Sequence, residues 1–205
     1  MSAHAMTARA GKGIVRTILV ASAVLFLQAC GINNIPTLEE HAKSAWSEVQ
    51  NQYQRRADLI PNLVETVRGY AQHEREVLRE VTEARARATQ VQVDVSTVTN
   101  PEKFREFQEA QNQLTGAIGR LLATVERYPE LKANGNFLAL QSQLEGTENR
   151  IAVARRDYIE AVRQYNTELR TIPGRWIAGF VYPDAKPMET FAASAGSERP
   201  PQVRF

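Results

Sequence analysis

Residues 101–128 read PEKFREFQEAQNQLTGAIGRLLATVERY, and the apolar spacing in this stretch decides the fold. Phe104, Phe107, Gln111, Leu114, Ile118, Leu121, Val125 and Tyr128 follow one another at alternating steps of three and four, with Gln111 the single polar member. That spacing lays a stripe along one face of an α-helix. Phe137, Leu140, Leu144, Thr147, Ile151, Ala154, Tyr158, Ala161 and Tyr165 repeat it. Leu63, Val67, Tyr70, Glu74, Val77, Val81, Ala84, Ala88 and Val91 form a third stripe, and Leu38, Ala42, Ala45, Val49 and Gln52 a weaker fourth. No stretch between residues 38 and 169 alternates with the period of a strand. The spacing predicts an all-α domain, an antiparallel up-and-down four-helix bundle with helices near 38–58, 61–93, 101–128 and 136–171.

The breaks between stripes carry their own chemistry. Asn100-Pro101-Glu102 sets a capping side chain before a proline at the first helical position, with an acid in the first turn. Tyr128-Pro129 closes that helix, and Asn134-Gly135-Asn136 is turn chemistry before the next. Residues 94–99 lack a period and read as a loop. Pro61 cannot donate an intrahelical bond and pushes Ile60 out of the α region, so a sharp turn is expected at residues 58–61 with Asp58 as the cap. The alternative is a single kinked helix over 38–93, since the stripe keeps its phase through Ile60 and Leu63. After Ile172 the pattern stops, and residues 173–183 are expected to form a short irregular segment packed across one bundle end. Residues 186–205 read as a disordered tail, most plainly from 193 onward.

The N-terminus is organised differently. A basic region holding Arg9, Lys12 and Arg16 precedes an unbroken apolar run over residues 18–27, and the segment closes with Gln28-Ala29-Cys30. This is the layout of a secretory signal peptide, and ten apolar residues fall short of the about 20 that a spanning helix needs. Residues 27–30, LQAC, resemble the lipobox of bacterial lipoproteins, with Gln28 where a small residue is usual. Residues 1–29 are then a signal peptide cleaved before Cys30, which becomes the acylated first residue, and 30–37 are a tether to a domain over 38–185. Gly31, rather than Asp, after the cysteine favours the outer membrane if the cell has one.

Charge narrows the partners. The chain has 25 bases and 23 acids; without the three bases of residues 1–29 the count is 22 against 23. No basic surplus remains to neutralise a phosphate backbone, so nucleic acid is not an expected partner. The single cysteine excludes an internal disulfide and a cysteine-based zinc cluster. His73-Glu74 lacks the second histidine of a zinc-protease helix, since Val77 stands there. Glu65, Glu74, Glu76, Glu80 and Glu83 are interleaved with bases, as on a solvated face. No catalytic residue, metal ligand or cofactor is assigned.

Residues 46–87, WSEVQNQYQRRADLIPNLVETVRGYAQHEREVLREVTEARAR, strongly resemble the LemA family of bacterial membrane-associated proteins. The resemblance continues at residues 128–134 (YPELKAN), 136–138, 144–151 (LEGTENRI), 158–166, and at Pro173-Gly174 and Gly179-Phe180, covering roughly 40–185. It implies an antiparallel four-helix bundle and no established enzymatic activity. Many members of that family keep an uncleaved N-terminal membrane helix, so the lipobox-like ending here is a departure. It also implies an envelope partner, such as a TPM-domain protein or a membrane metalloprotease, because members are often encoded beside them.

Polar residues close to the stripes are the remaining candidates. Arg55, Arg56, Asp58, Pro61 and Asn62 form a set beside the proline, as a structural turn or a small groove for a partner's tail. Tyr70, His73, Glu74, Glu148, Asn149, Arg150 and Arg155 form a second set. A charge near a bundle core is costly unless paired, so these are expected to make an interhelical network that sets register. The expected function is a non-enzymatic, lipid-anchored scaffold or adaptor facing the periplasm or cell exterior. The alternative is an envelope enzyme or ligand-sensing bundle using Glu74, Arg150 and Arg155.

Overall fold

The computed structural model describes residues 31–91 and 95–191. The signal-peptide reading and Cys30 lie outside these residues. The described elements are all helical: α1 (Asn34–Arg68), α2 (Arg75–Gln90), α3 (Val95–Val98), α4 (Pro101–Val125), α5 (Pro129–Lys132), α6 (Gly135–Arg170) and α7 (Gly174–Val181). Helices α1 and α6, of 35 and 36 residues, pack antiparallel along their length. Asn34 reaches Glu168 at one end, and Gln52 meets Arg150 in the middle. Helix α2 packs antiparallel to both α1 and α4, tied by Arg85 to Ala57 and by Arg120 to Glu80.

Two helix starts carry asparagine caps: Asn100 caps as the sequence predicts, and the turn read at 134–136 supplies a second cap in Asn134. Asn100 Oδ1 accepts the Glu102 and Lys103 amides at 3.0 and 3.2 Å, with Pro101 at the first helical position. Asn134 Oδ1 accepts those of Asn136 and Phe137 at 2.9 and 3.1 Å. Each satisfies donors that a helix start leaves without a partner.

The expected turn at 58–61 does not exist. Helix α1 runs through Pro61, and the break comes at residues 69–74 instead. A helical Pro61 withholds the N–H that the Ala57 carbonyl, four residues earlier, would accept. Arg85 of α2 replaces it: its Nε donates to the Ala57 oxygen at 2.8 Å. Asp58, exposed in mid-helix, caps nothing and accepts a bond from Gln54 at 2.7 Å.

Four other expectations are corrected. The tether is shorter than 30–37, because α1 begins at Asn34 and Ile35 is buried. The loop at 94–99 contains the single turn α3, and the irregular segment at 173–183 contains α7. The supposed tail from 186 onward is packed as far as the description reaches. Met188 and Phe191 are buried, and Asn166 grips the Met188 backbone through two bonds of 2.9 Å. The Tyr158 hydroxyl donates to the Glu189 carbonyl at 2.7 Å, and the Glu189 amide to that of Val98 at 2.7 Å. Residues 182–191 are therefore a strap over α3, α4 and α6. Residues 192–205 lie outside the description.

A double-mutant cycle tests the account of Pro61. Arg85→Met should cost about 1–3 kcal/mol in the parent, where it strands a carbonyl. In a Pro61→Ala background, residue 61 supplies that carbonyl itself, and the same change should cost less than about 0.5 kcal/mol. Equal costs in urea unfolding would show that Arg85 does not serve the proline site.

Candidate functional site

The buried residues of the bundle fall into two apolar blocks. One holds Ile60, Leu63, Val67, Val81, Leu114, Leu121, Phe137 and Leu144 among others. The other holds Trp46, Val49, Tyr53, Phe104, Phe107, Ile151, Tyr158 and Phe191. Between them three of the four long helices contribute a polar residue at a core position: Arg56 from α1, Gln111 from α4 and Thr147 from α6.

Arg56 is the centre of this layer, and it is 1% exposed. Its Nη1 donates to Thr115 Oγ1 at 2.8 Å and to Glu148 Oε1 at 2.9 Å. Its Nη2 donates to Gln111 Oε1 at 2.7 Å and to the Gln111 carbonyl at 3.3 Å. The Gln111 amide passes the connection on to the Ala88 carbonyl of α2 at 3.3 Å. The guanidinium also lies 5.0 Å from the centre of the Tyr53 ring. All four long helices are thus joined through one cation. Arg56 Nε has no acceptor among the described residues, which leaves part of the desolvation cost unpaid.

The flanks extend the layer. Arg150 donates to Gln52 Oε1 at 3.2 Å and to Thr147 Oγ1 at 3.0 Å. Arg155 lies 4.3 Å from the centre of the Phe191 ring. Burial pushes the Tyr53 phenol above its ordinary range, and the nearby Arg155 and Arg56 charges temper the rise. The Phe104–Phe191 and Trp46–Tyr158 ring pairs, with centroids 5.0 and 5.1 Å apart, close the block below.

The two predicted residue sets are regrouped by the fold. Of Arg55, Arg56, Asp58, Pro61 and Asn62, only Arg56 turns inward; the other four are exposed on a continuous helix. Of the network set, Glu148 and Arg150 belong to the central layer, while Arg155 sits with Phe191 a turn further on. Glu74 stands at the far end of the bundle, accepting bonds from Arg127 Nη2 and the Tyr128 hydroxyl, both at 2.9 Å. Tyr70 bonds Asn134 at that same end at 2.8 Å. His73 and Asn149 are exposed. Glu74, Arg150 and Arg155 therefore do not share one site. Gln111, Thr115, Thr147 and Arg85 were missed as network members, although the first and third stood out as the polar members of their stripes.

An open concavity of about 760 Å³ lies at the α1–α2 corner, lined by Glu65, Arg68, Arg75, Arg79 and Glu83 around Leu78. Among the described residues, no group of three or more His, Cys, Asp or Glu side chains could hold a metal, and no helix is long and apolar enough to cross a membrane.

Arg56→Ala should lower the unfolding free energy by about 3–5 kcal/mol, because it empties a buried site and strands Gln111. Arg56→Lys should recover little, since an ammonium cannot span acceptors on two helices at once. Asp58→Ala should stay within about 0.5 kcal/mol. Equal small losses for all three in urea unfolding would contradict this assignment.

Comparison with known proteins identifies the family. The model of the LemA family matches residues 45–205. Magnetosome proteins MamQ 1 and MamQ 2 of Paramagnetospirillum magneticum are each 26% identical over 191 residues, covering 83% of this chain and 70% of theirs. Protein LemA of Metamycoplasma hominis is 24% identical over 154 residues, covering 75% of this chain and 66% of its own. With the family model matched over well more than half of its length, the chain belongs to the LemA family.

Proposed function

We propose that this chain is a non-enzymatic scaffold or adaptor of the bacterial cell envelope, anchored to a membrane through its N-terminal segment. Cys30 is the acylation site in this reading, and several acyl chains give a lasting hold where one would not. The bundle then faces the periplasm or cell exterior, on the outer membrane if the cell has one. Its partner is another envelope protein, such as a TPM-domain protein or a membrane protease.

The observation that carries the reading is the polarity of the rod. Helix α1 starts beside the end of α6, where Asn34 meets Glu168, so an anchor in the N-terminal segment ties the bundle at that end. The 35 residues of α1 extend about 50 Å from there to the α1–α2 corner. The charged concavity of Arg68, Arg75 and Arg79 lies at this far corner. A rod tied at one end, with an open charged recess at the other, suits holding a partner at a distance from the bilayer. The polar groups at the middle of the rod are spent on tying helices together. Two relatives bear the name of magnetosome proteins, which is compatible with a role beside a membrane-associated assembly.

Fractionation and cross-linked capture from membranes, with two variants, test both ends. Cys30→Ala should remain unprocessed and take up no labelled lipid. Arg75→Glu with Arg79→Glu should keep its stability within about 1 kcal/mol, since both side chains are exposed. It should nevertheless lose most of the partner captured by the parent. Unchanged lipid labelling would overturn the anchor, and unchanged capture would overturn the distal recess as the docking end.

A further inference from the structure

The four most exposed large hydrophobic residues among those described all fall within residues 172–181: Phe180 at 88%, Ile172 at 64%, Trp176 at 59% and Val181 at 50%. Trp176 and Phe180, four apart, share the outer side of α7 with Val181 beside them, and Ile172 lies in the turn that leads into the helix. Its other side is also apolar: Ile177, Ala178 and Tyr182 pack against the aromatic block. Gly174 fixes this placement, because a Cβ there would overlap the Glu168 carbonyl at the end of α6. A helix apolar all round is normally covered on every side. Here one side meets the bundle and the other is open.

The position of α7 says what covers it. The helix follows directly on α6 and packs against both α6 and α1. It therefore occupies the end at which α1 begins. Only residues 31–33 separate Cys30 from the start of α1, and four steps of chain reach at most about 14 Å. An anchor at Cys30 keeps this end of the bundle within that distance of a bilayer. Arg170 and Arg175, both exposed, flank the outer side of α7 with charge that suits anionic headgroups. Tryptophan beside aliphatic residues and arginine is a side-chain set that settles at the headgroup level.

We propose that the outward side of α7, formed by Trp176, Phe180 and Val181, together with Ile172 in the preceding turn, is a membrane-contact surface that beds into the headgroup region of the bilayer holding the N-terminal segment. This rests on the anchoring reading above. It adds a second hold, which sets the orientation of the rod rather than its residence on the membrane.

The chain has two tryptophans, and Trp46 is 2% exposed inside the aromatic block, so emission can be assigned without disturbing the core. The full chain is incorporated into phosphatidylethanolamine–phosphatidylglycerol vesicles whose acyl chains are brominated near the headgroup, and flotation measures attachment. Parent emission should fall by about half relative to unbrominated vesicles, because one of two indoles meets the quencher. Trp176→Phe, a change at an exposed position, should abolish most of that quenching while still floating. Phe180→Asp should float but reduce the quenching several-fold. Parent protein that floats without bromine quenching overturns the α7 contact and leaves the anchor standing. Protein that does not float overturns the anchor and this inference with it. A concentration-dependent blue shift of Trp176 without lipid would assign the face to a second copy of the chain and overturn the proposal. Full quenching retained in Phe180→Asp would also overturn it, since proximity rather than insertion would then explain the signal.

Discussion

Arg56 places a permanent positive charge at 1% exposure in the middle of a helical bundle, and the arrangement of the long helices follows from accommodating it. An unpaired charge at such a depth would cost more than the domain's whole stability. The cost falls only when Thr115 and Gln111 of α4 and Glu148 of α6 come within bonding distance together. Sliding any helix by one turn, about 5.4 Å, would break those bonds. Apolar stripes alone tolerate such slips, because leucine packs against leucine at many offsets. A buried ionic layer adds little net stability over an apolar one, so its physical effect here is on register.

The same level of α1 also absorbs its proline. Arg56 reaches α4 and α6, while the next residue, Ala57, receives Arg85 from α2. Two neighbouring residues thus connect α1 to every other long helix by hydrogen bonds. Pro61 creates the free carbonyl, and α2 is held where its arginine can meet it. The result is an uninterrupted helix where a break would halve the rod.

Most of the fold was legible in the sequence. The 3-4 stripes of residues 104–128 and 137–165 located α4 and α6, and the Asn100 cap and the turn at 134–136 were placed correctly because both are local chemistry. Pro61 misled because its rescue comes from Arg85, 24 positions away, and local rules carry no information about that distance. The true break at 69–74 was masked by Tyr70 and Glu74, which kept the stripe in phase while bonding Asn134, Arg127 and Tyr128 across the bundle end. Polar composition at residues 186–191 hid the strap, whose order depends on Asn166 and the aromatic block. The network was half visible: Gln111 and Thr147 interrupted apolar stripes, and Arg56 and Glu148 were singled out. Which of the flanking arginines turned inward depended on α1 running unbroken through Pro61, and the break expected at 58–61 was the point misjudged.

The account stands on the claim that the Arg56 layer sets register rather than stability. The amide NMR spectrum of a variant carrying Arg56→Met, Gln111→Leu and Glu148→Leu tests it most directly. The account predicts an unfolding free energy within about 2 kcal/mol of the parent, since the cation and its two principal partners are replaced together by apolar groups. It predicts at the same time broadened or doubled amide resonances for residues near 53–63, 107–118 and 144–151, from helices sampling more than one offset. A single sharp set of resonances matching the parent's dispersion would contradict it, because apolar packing alone would then be enough to specify the bundle.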